Sequence, residues 1–184
     1  MLHERKPNRM HGYDYSKDNL YFVTSCVYKM VCCFGHIVGT GRDLSLQSEK
    51  QMELNEYGKI ADKQWYWLGE HYPYVVLHEF VVMPNHIHGI IEIDRSRIVV
   101  GTGRDLSLQS IKIKSLSELM GAYKTTTSNK IHEIGFDGFK WQRSFHDHII
   151  RDEKSYNTIS NYIRNNPIIW NQDELFNTDQ KSIK

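Results

Sequence analysis

The sequence predicts an α+β domain, an antiparallel sheet built from hairpins and covered on one face by two or three helices. Two observations carry this. β-Branched and aromatic residues concentrate in short paired runs over residues 19–38 and 73–93. The longer stretches between and after them carry apolar residues at helical spacing. Size agrees, because 184 residues with 40% apolar and 12% aromatic content suit one domain with a proper core.

Residues 19–38 read as a first hairpin, with Tyr28–Met30 as its turn. Residues 52–72 place Leu54, Tyr57, Ile60, Ala61, Trp65 and Leu68 on one helical face. Residues 73–83 and 86–93 form a second hairpin across the Pro84-Asn85 turn. A second helix follows over 115–135, with Ser115 or Ser117 as N-cap and Gly135 as stop. Residues 139–150 read as extended. A third helix, capped by Asp152, ends before Pro167 because proline cannot continue it. The division is a single domain over 1–170 and a polar, loose tail over 171–184.

The formal charge of +1 gives no bulk attraction for nucleic acid, so any basic surface must be local. Cys26, Cys32 and Cys33 make a poor disulfide framework and a poor zinc pattern. They read as small buried hydrophobes in a reducing cytoplasm. Residues 1–16 are basic and polar without a hydrophobic stretch, unlike a signal peptide, and no apolar run is long enough to span a membrane.

The segment Val-Gly-Thr-Gly-Arg-Asp-Leu-Ser-Leu-Gln-Ser occurs twice without a difference, at residues 38–48 and 100–110. Both copies fall between regular elements and read as loop insertions to which the fold is indifferent. A structural repeat would keep its packing positions and diverge elsewhere, so the identity points to copied DNA.

Chemistry concentrates in two places. His86 and His88 project from one face of a strand about 7 Å apart, which lets two imidazoles converge on one cation. Glu92 shares that face farther along. Spacing alone does not separate this pair from a surface pair, and His146 and His148 repeat it. The first pair stands out because its strand is otherwise apolar. On the third helix, Tyr162 and Asn166 lie four residues apart and share a face. Read alone, Tyr162 is a core aromatic and Asn166 an ordinary residue before proline.

Five stretches, GYDYSKDNLYFVT, LNEYGKIA, FVVMPNHIHGIIEI, WQRSFHDHIIRDEKSY and YIRNNPIIW, together resemble the REP-associated tyrosine transposases. These are a branch of the single-tyrosine, insertion-sequence-type transposases within the His-hydrophobe-His endonucleases. The likeness runs from Gly12 to Trp170, interrupted by the two repeat copies. It implies a ferredoxin-like, RRM-like sheet with the catalytic tyrosine on a C-terminal helix. It implies that His86 and His88 are catalytic and hold a divalent cation, Mg²⁺ or Mn²⁺, that Asn166 is the third ligand, and that Tyr162 is the nucleophile. Asn165 is the poorer ligand, pointing about 100° away around the helix.

The activity implied is metal-dependent endonuclease and strand transferase chemistry on single-stranded DNA beside palindromic hairpins, through a 5′-phosphotyrosine. A DNA-binding relic without turnover and a hydrolase using water are the alternatives. Candidate DNA contacts are Lys124, Lys130, Lys140, Arg143, Arg151 and Arg164, with His148 either structural or contacting DNA. The resemblance leaves monomer or homodimer open, needs no membrane, and implies a bacterial cytoplasmic protein working at the nucleoid. The duplicated peptide is itself compatible with palindromic coding DNA, with the dyad inside the Arg42 codon.

Overall fold

The computed structural model describes residues 12–40, 49–98 and 112–176. Its elements are β1 (Asn19–Cys26), β2 (Gly35–Thr40), β3 (Glu49–Leu54), α1 (Glu56–His71), β4 (Val75–Met83), β5 (His86–Ile93), α2 (Leu116–Glu133), β6 (His146–Ile150) and α3 (Glu153–Asn165). The main sheet runs β4-β5-β1-β6 with every neighbouring pair antiparallel. With β2 and β3 set aside as a separate two-stranded ribbon, the order β-α-β-β-α-β is the ferredoxin-like arrangement.

Strand alternation divides the sheet into two chemically different faces. On one, Tyr21 and Val23 of β1 and Ile87, Ile91 and Ile93 of β5 pack against Ala61, Trp65 and Leu68 of α1 and Leu119, Met120 and Tyr123 of α2. On the other, Ile90 and Ile150 pack against Ile163 of α3, with Phe22, Val81 and Ile159 around them. Two helices therefore share one face, as expected, while α3 crosses the opposite face, the one that carries His86 and His88.

Gly89 lets α1 approach the sheet. A Cβ there would lie 2.5 Å from Trp65, whose indole stacks on Phe80 at 4.5 Å. A Gly89→Ala chain is therefore expected to lose about 2 kcal/mol by overpacking, read as a lower urea midpoint. An unchanged midpoint would show that Trp65 can yield.

The predicted first hairpin is corrected. β1 and β2 are both strands, but they do not pair: β1 is central in the main sheet and β2 pairs with β3. At the bend between them Lys29 and Met30 both take φ of 57°. There the chain is tied elsewhere, Tyr28 N–H to the Lys140 carbonyl and Cys33 and Phe34 N–H to the Pro84 carbonyl. Such ties are tertiary and leave no local sequence signal. β3 was not expected, and Leu54 belongs to it; α1 starts after Asn55, whose side chain accepts from Gly58 N–H.

The other helix ends are as read. Ser115 caps α2 in a reciprocal pair with Glu118, Asp152 caps α3, and Gly135 takes φ of 97° just past α2. Cys26 and Cys33 are buried, and all three thiols are free. Among the described residues no helix is long and apolar enough to cross a membrane. The first repeat copy enters the structure through Val38, Gly39 and Thr40, which are strand rather than loop; its remainder and all of the second copy lie outside the described residues.

Candidate active site

His86 and His88 begin β5 and are buried at 0% and 2% exposure. Each is oriented through Nδ1. Asn85 donates its amide to the Leu175 carbonyl at 2.9 Å, which leaves Oδ1 to accept from His86 Nδ1 at 2.7 Å. Thr24 Oγ1, across the ladder on β1, lies 2.7 Å from His88 Nδ1. The two Nε2 atoms face each other at 3.0 Å. If Thr24 donates, His88 Nε2–H bonds His86 Nε2. If Thr24 accepts, both Nε2 lone pairs point at one spot, as shared ligation of a cation requires.

Tyr162 stands over this pair, its hydroxyl 3.2 Å from His88 Nε2. It donates to Asp173 Oδ2 at 3.0 Å, and Asn166 Nδ2 donates to the same oxygen at 2.6 Å. Leu175 N–H holds Oδ1 at 2.7 Å. Ligand atoms of His86, His88 and Asp173 all lie within 4.8 Å of one another. Asn166 Oδ1 is buried without a hydrogen-bond partner. Two imidazole nitrogens and one carboxylate oxygen fit a divalent cation, and Asn166, whose Nδ2 bonds that carboxylate, offers its orphaned amide oxygen as a further donor.

Burial holds both histidines neutral. It takes His86 well below its ordinary value, with His88 adding to the effect, and takes His88 down to about 4, partly offset by the Asp173 charge. Tyr162 is pushed up, first by burial and then by the Asp173 charge and hydrogen bond. The histidine shifts set a sign for stability. Between His88's value of about 4 and the ordinary 6.5, the unfolded chain binds protons that the folded chain refuses. Stability contributed by the neutral pair is thus whole above pH 6.5 and falls as pH drops toward 4. Urea midpoints at pH 7.5, 6 and 4.5 are expected to decrease in that order; a flat series would contradict buried neutral imidazoles.

An open cleft of about 500 Å³ exposes this cluster, lined by Phe22, Thr24, His88, His146, Tyr162 and Asp173 among others. A larger cleft of about 810 Å³ lies alongside, against the β2–β3 ribbon, and meets the site through Trp170, whose ring is 5.8 Å from His86. It holds none of the clustered ligand atoms, so the smaller cleft is the chemical one.

Comparison with known proteins gives the fold a precedent. No family model matches the chain. An uncharacterized protein of Haemophilus influenzae is 38% identical over 183 residues, 95% of this chain and 94% of its own. The two belong to one family. A REP-associated tyrosine transposase, solved bound to a REP hairpin, superposes with a TM-score of 0.53 at 18% identity over 92% of this chain and 77% of that one. The chain has the REP-associated tyrosine transposase fold. A further solved structure, from Deinococcus radiodurans, covers 85% of this chain and 95% of its own at 14% identity and a TM-score of 0.41.

Within this transposase fold, His86, His88, Tyr162 and Asn166 come together, while the candidate DNA contacts scatter. Lys124 is half-buried and donates to the carbonyls of Gln142, Arg143 and Ser144, acting as a strut. Arg164 pairs with Glu79. His148 and Arg151 line a small cleft beside the α3 N-terminus. Lys130, Lys140 and Arg143 are exposed and are not among the residues lining the 500 Å³ cleft. Sequence reading missed Asp173, Asn85, Thr24 and His146. Only His146 had a local signal, as half of the second His-x-His.

Proposed function

We propose that the chain is a cation-dependent single-stranded DNA endonuclease and strand transferase that works beside hairpins through Tyr162. The observation that carries this is the Tyr162 hydroxyl, 36% of its residue exposed to a cleft yet 3.2 Å from a buried histidine pair and 3.0 Å from Asp173. The solved protein of the same fold is bound to a REP hairpin, which supports hairpin DNA as the substrate class.

His86, His88, Asp173 and the free Asn166 Oδ1 would hold a divalent cation, which supplies positive charge against a phosphate and against the phenolate. The chain's own residues do the rest. Phe22 sets the Tyr162 ring edge-on at 6.2 Å, and His88 meets it at 5.2 Å, fixing the direction of the phenol oxygen. The phenol proton passes along the hydrogen bond to Asp173. The tyrosyl oxygen bonds to phosphorus, the P–O3′ bond breaks, and the departing 3′ oxygen takes a proton from solvent. The 5′-phosphotyrosine keeps the bond energy, so another 3′-hydroxyl can reverse the step and join strands without ATP.

The test is a labelled hairpin oligonucleotide with single-stranded flanks, incubated with the full chain and Mn²⁺ and resolved under denaturing conditions. A covalent protein–DNA adduct, absent after chelation, is the expected result. Cleavage without an adduct would assign the attack to water, and binding without cleavage would mark a chain that recognises hairpins without turnover.

A further inference from the structure

The site accounts for the histidines, the tyrosine and the returning chain end, but not for the duplicated peptide. None of the residues that form the site comes from either copy. In the described fold the first copy contributes a backbone ladder, Val38 with Gln51, Gly39 with Lys50 and Thr40 with Glu49, and Gly39 in the wall of the larger cleft. A backbone ladder asks little of side-chain identity. Yet the two copies agree at all eleven positions, Gly, Thr, Arg, Asp and Gln alike. Protein-level constraint would hold some positions and release others. Agreement that ignores structural role is a property of the DNA.

That DNA can be asked whether it folds on itself, since the neighbour of known structure holds a hairpin. Place a dyad between the second and third bases of the Arg42 codon. First bases then pair with first bases across the dyad, and second bases pair with third bases. The first-base pairs required are Arg42 with Asp43, Gly41 with Leu44, Thr40 with Ser45, Gly39 with Leu46 and Val38 with Gln47. The genetic code permits C–G, G–C, A–T, G–C and G–C, so every one is complementary. Each third base is then set by the second base it faces, and each choice is a synonymous codon. The result, GTAGGGACAGGTCGCGACCTGTCCCTAC, encodes residues 38–46 and opens the Gln47 codon. It equals its own reverse complement.

We infer that residues 38–48 and 100–110 are two in-frame insertions of one palindromic DNA element, and that a hairpin of this element is a substrate of the Tyr162 site. The second half rests on the function proposed above. The fold tolerates the insertions because both fall away from the main sheet. The first supplies the end of β2, Val38–Thr40, and runs on toward β3 in a ribbon that needs only backbone pairing, and the second falls in sequence between β5 and α2. The site sees the same element as DNA: Tyr162 bonds to a phosphorus in the strand flanking the stem, the P–O3′ bond opens, and the freed 3′ oxygen takes a proton.

Two measurements decide it. The coding sequence should show near-identical codons in both copies, self-complementary about the arginine codon; unrelated or non-complementary codons would overturn the insertion. The full chain with Mn²⁺ is then given three labelled oligonucleotides: the gene's own hairpin with its flanks, a hairpin of equal composition with a scrambled stem, and hairpins drawn from intergenic DNA of the same genome. Adduct on the gene's own hairpin, with binding at least about 10-fold tighter than to the scrambled stem, supports the substrate assignment. Adduct on intergenic hairpins but not on this one overturns that assignment and leaves the tyrosine chemistry standing. Adduct on none of the three overturns the tyrosine chemistry and the substrate assignment together, while the codons still decide the insertion.

Discussion

Replacing Tyr162 by Phe is expected to abolish the covalent adduct and to lower strand cleavage by on the order of 10³-fold or more, with hairpin binding unchanged. The substitution removes one oxygen and little else. The ring keeps its edge contact with Phe22 and its packing on His88. Asp173 loses one donor but keeps Asn166 Nδ2 and Leu175 N–H, so no buried carboxylate is left unpaired. Loss of function with an unchanged urea midpoint would therefore report on the nucleophile and not on folding. The assay is the denaturing separation of labelled hairpin DNA after incubation with Mn²⁺. An adduct that persists in Tyr162→Phe would move the nucleophile elsewhere, and persistent cleavage without adduct would make water the attacking group.

The parts of this site that periodicity reaches were legible, and the parts that depend on chain return were not. His86 and His88 share a strand face by alternation, and Tyr162 and Asn166 share a helix face by four-residue spacing. Both pairs are local. Periodicity could not say which sheet face α3 covers, because Ile90 and Ile163 meet only in three dimensions. Asp173 sits in a segment that reads as polar tail. It reaches the site because the chain folds through a short helical turn at Trp170–Gln172, with Trp170 buried against His86. A carboxylate three residues past a tryptophan gives no hint of that return. Thr24 is a strand residue on a neighbouring segment, and Asn85, although next to His86 in sequence, is turned toward its imidazole by the distant Leu175 carbonyl; both aims are tertiary facts.

Asp173 carries the second large effect. Asp173→Asn keeps the shape of the side chain and an oxygen for the Tyr162 and Asn166 donors, turns an amide nitrogen toward Leu175 N–H in place of its acceptor, and removes the charge. Cation affinity, followed by Mn²⁺ titration, is expected to fall about 10- to 100-fold, and adduct formation to fall with it. The Asp173 charge raises both His88 and Tyr162, so its removal lowers both. If the carboxylate mattered only through that charge on the phenol, Asp173→Asn would ease phenolate formation and speed the reaction. If it receives the phenol proton and holds the cation, the same change slows the reaction despite the easier ionisation. The two accounts predict opposite signs, and Asp173→Ala separates packing from either. The alanine removes the Asp173 acceptor from the buried Asn166 amide, which costs about 1–3 kcal/mol and lowers the urea midpoint, whereas the asparagine keeps that acceptor and gives up only the one for Leu175 N–H, a smaller fall. A cation affinity and an adduct yield both unchanged in Asp173→Asn would remove Asp173 from the chemistry and leave it as the clasp that seats residues 170–176 against the histidine pair.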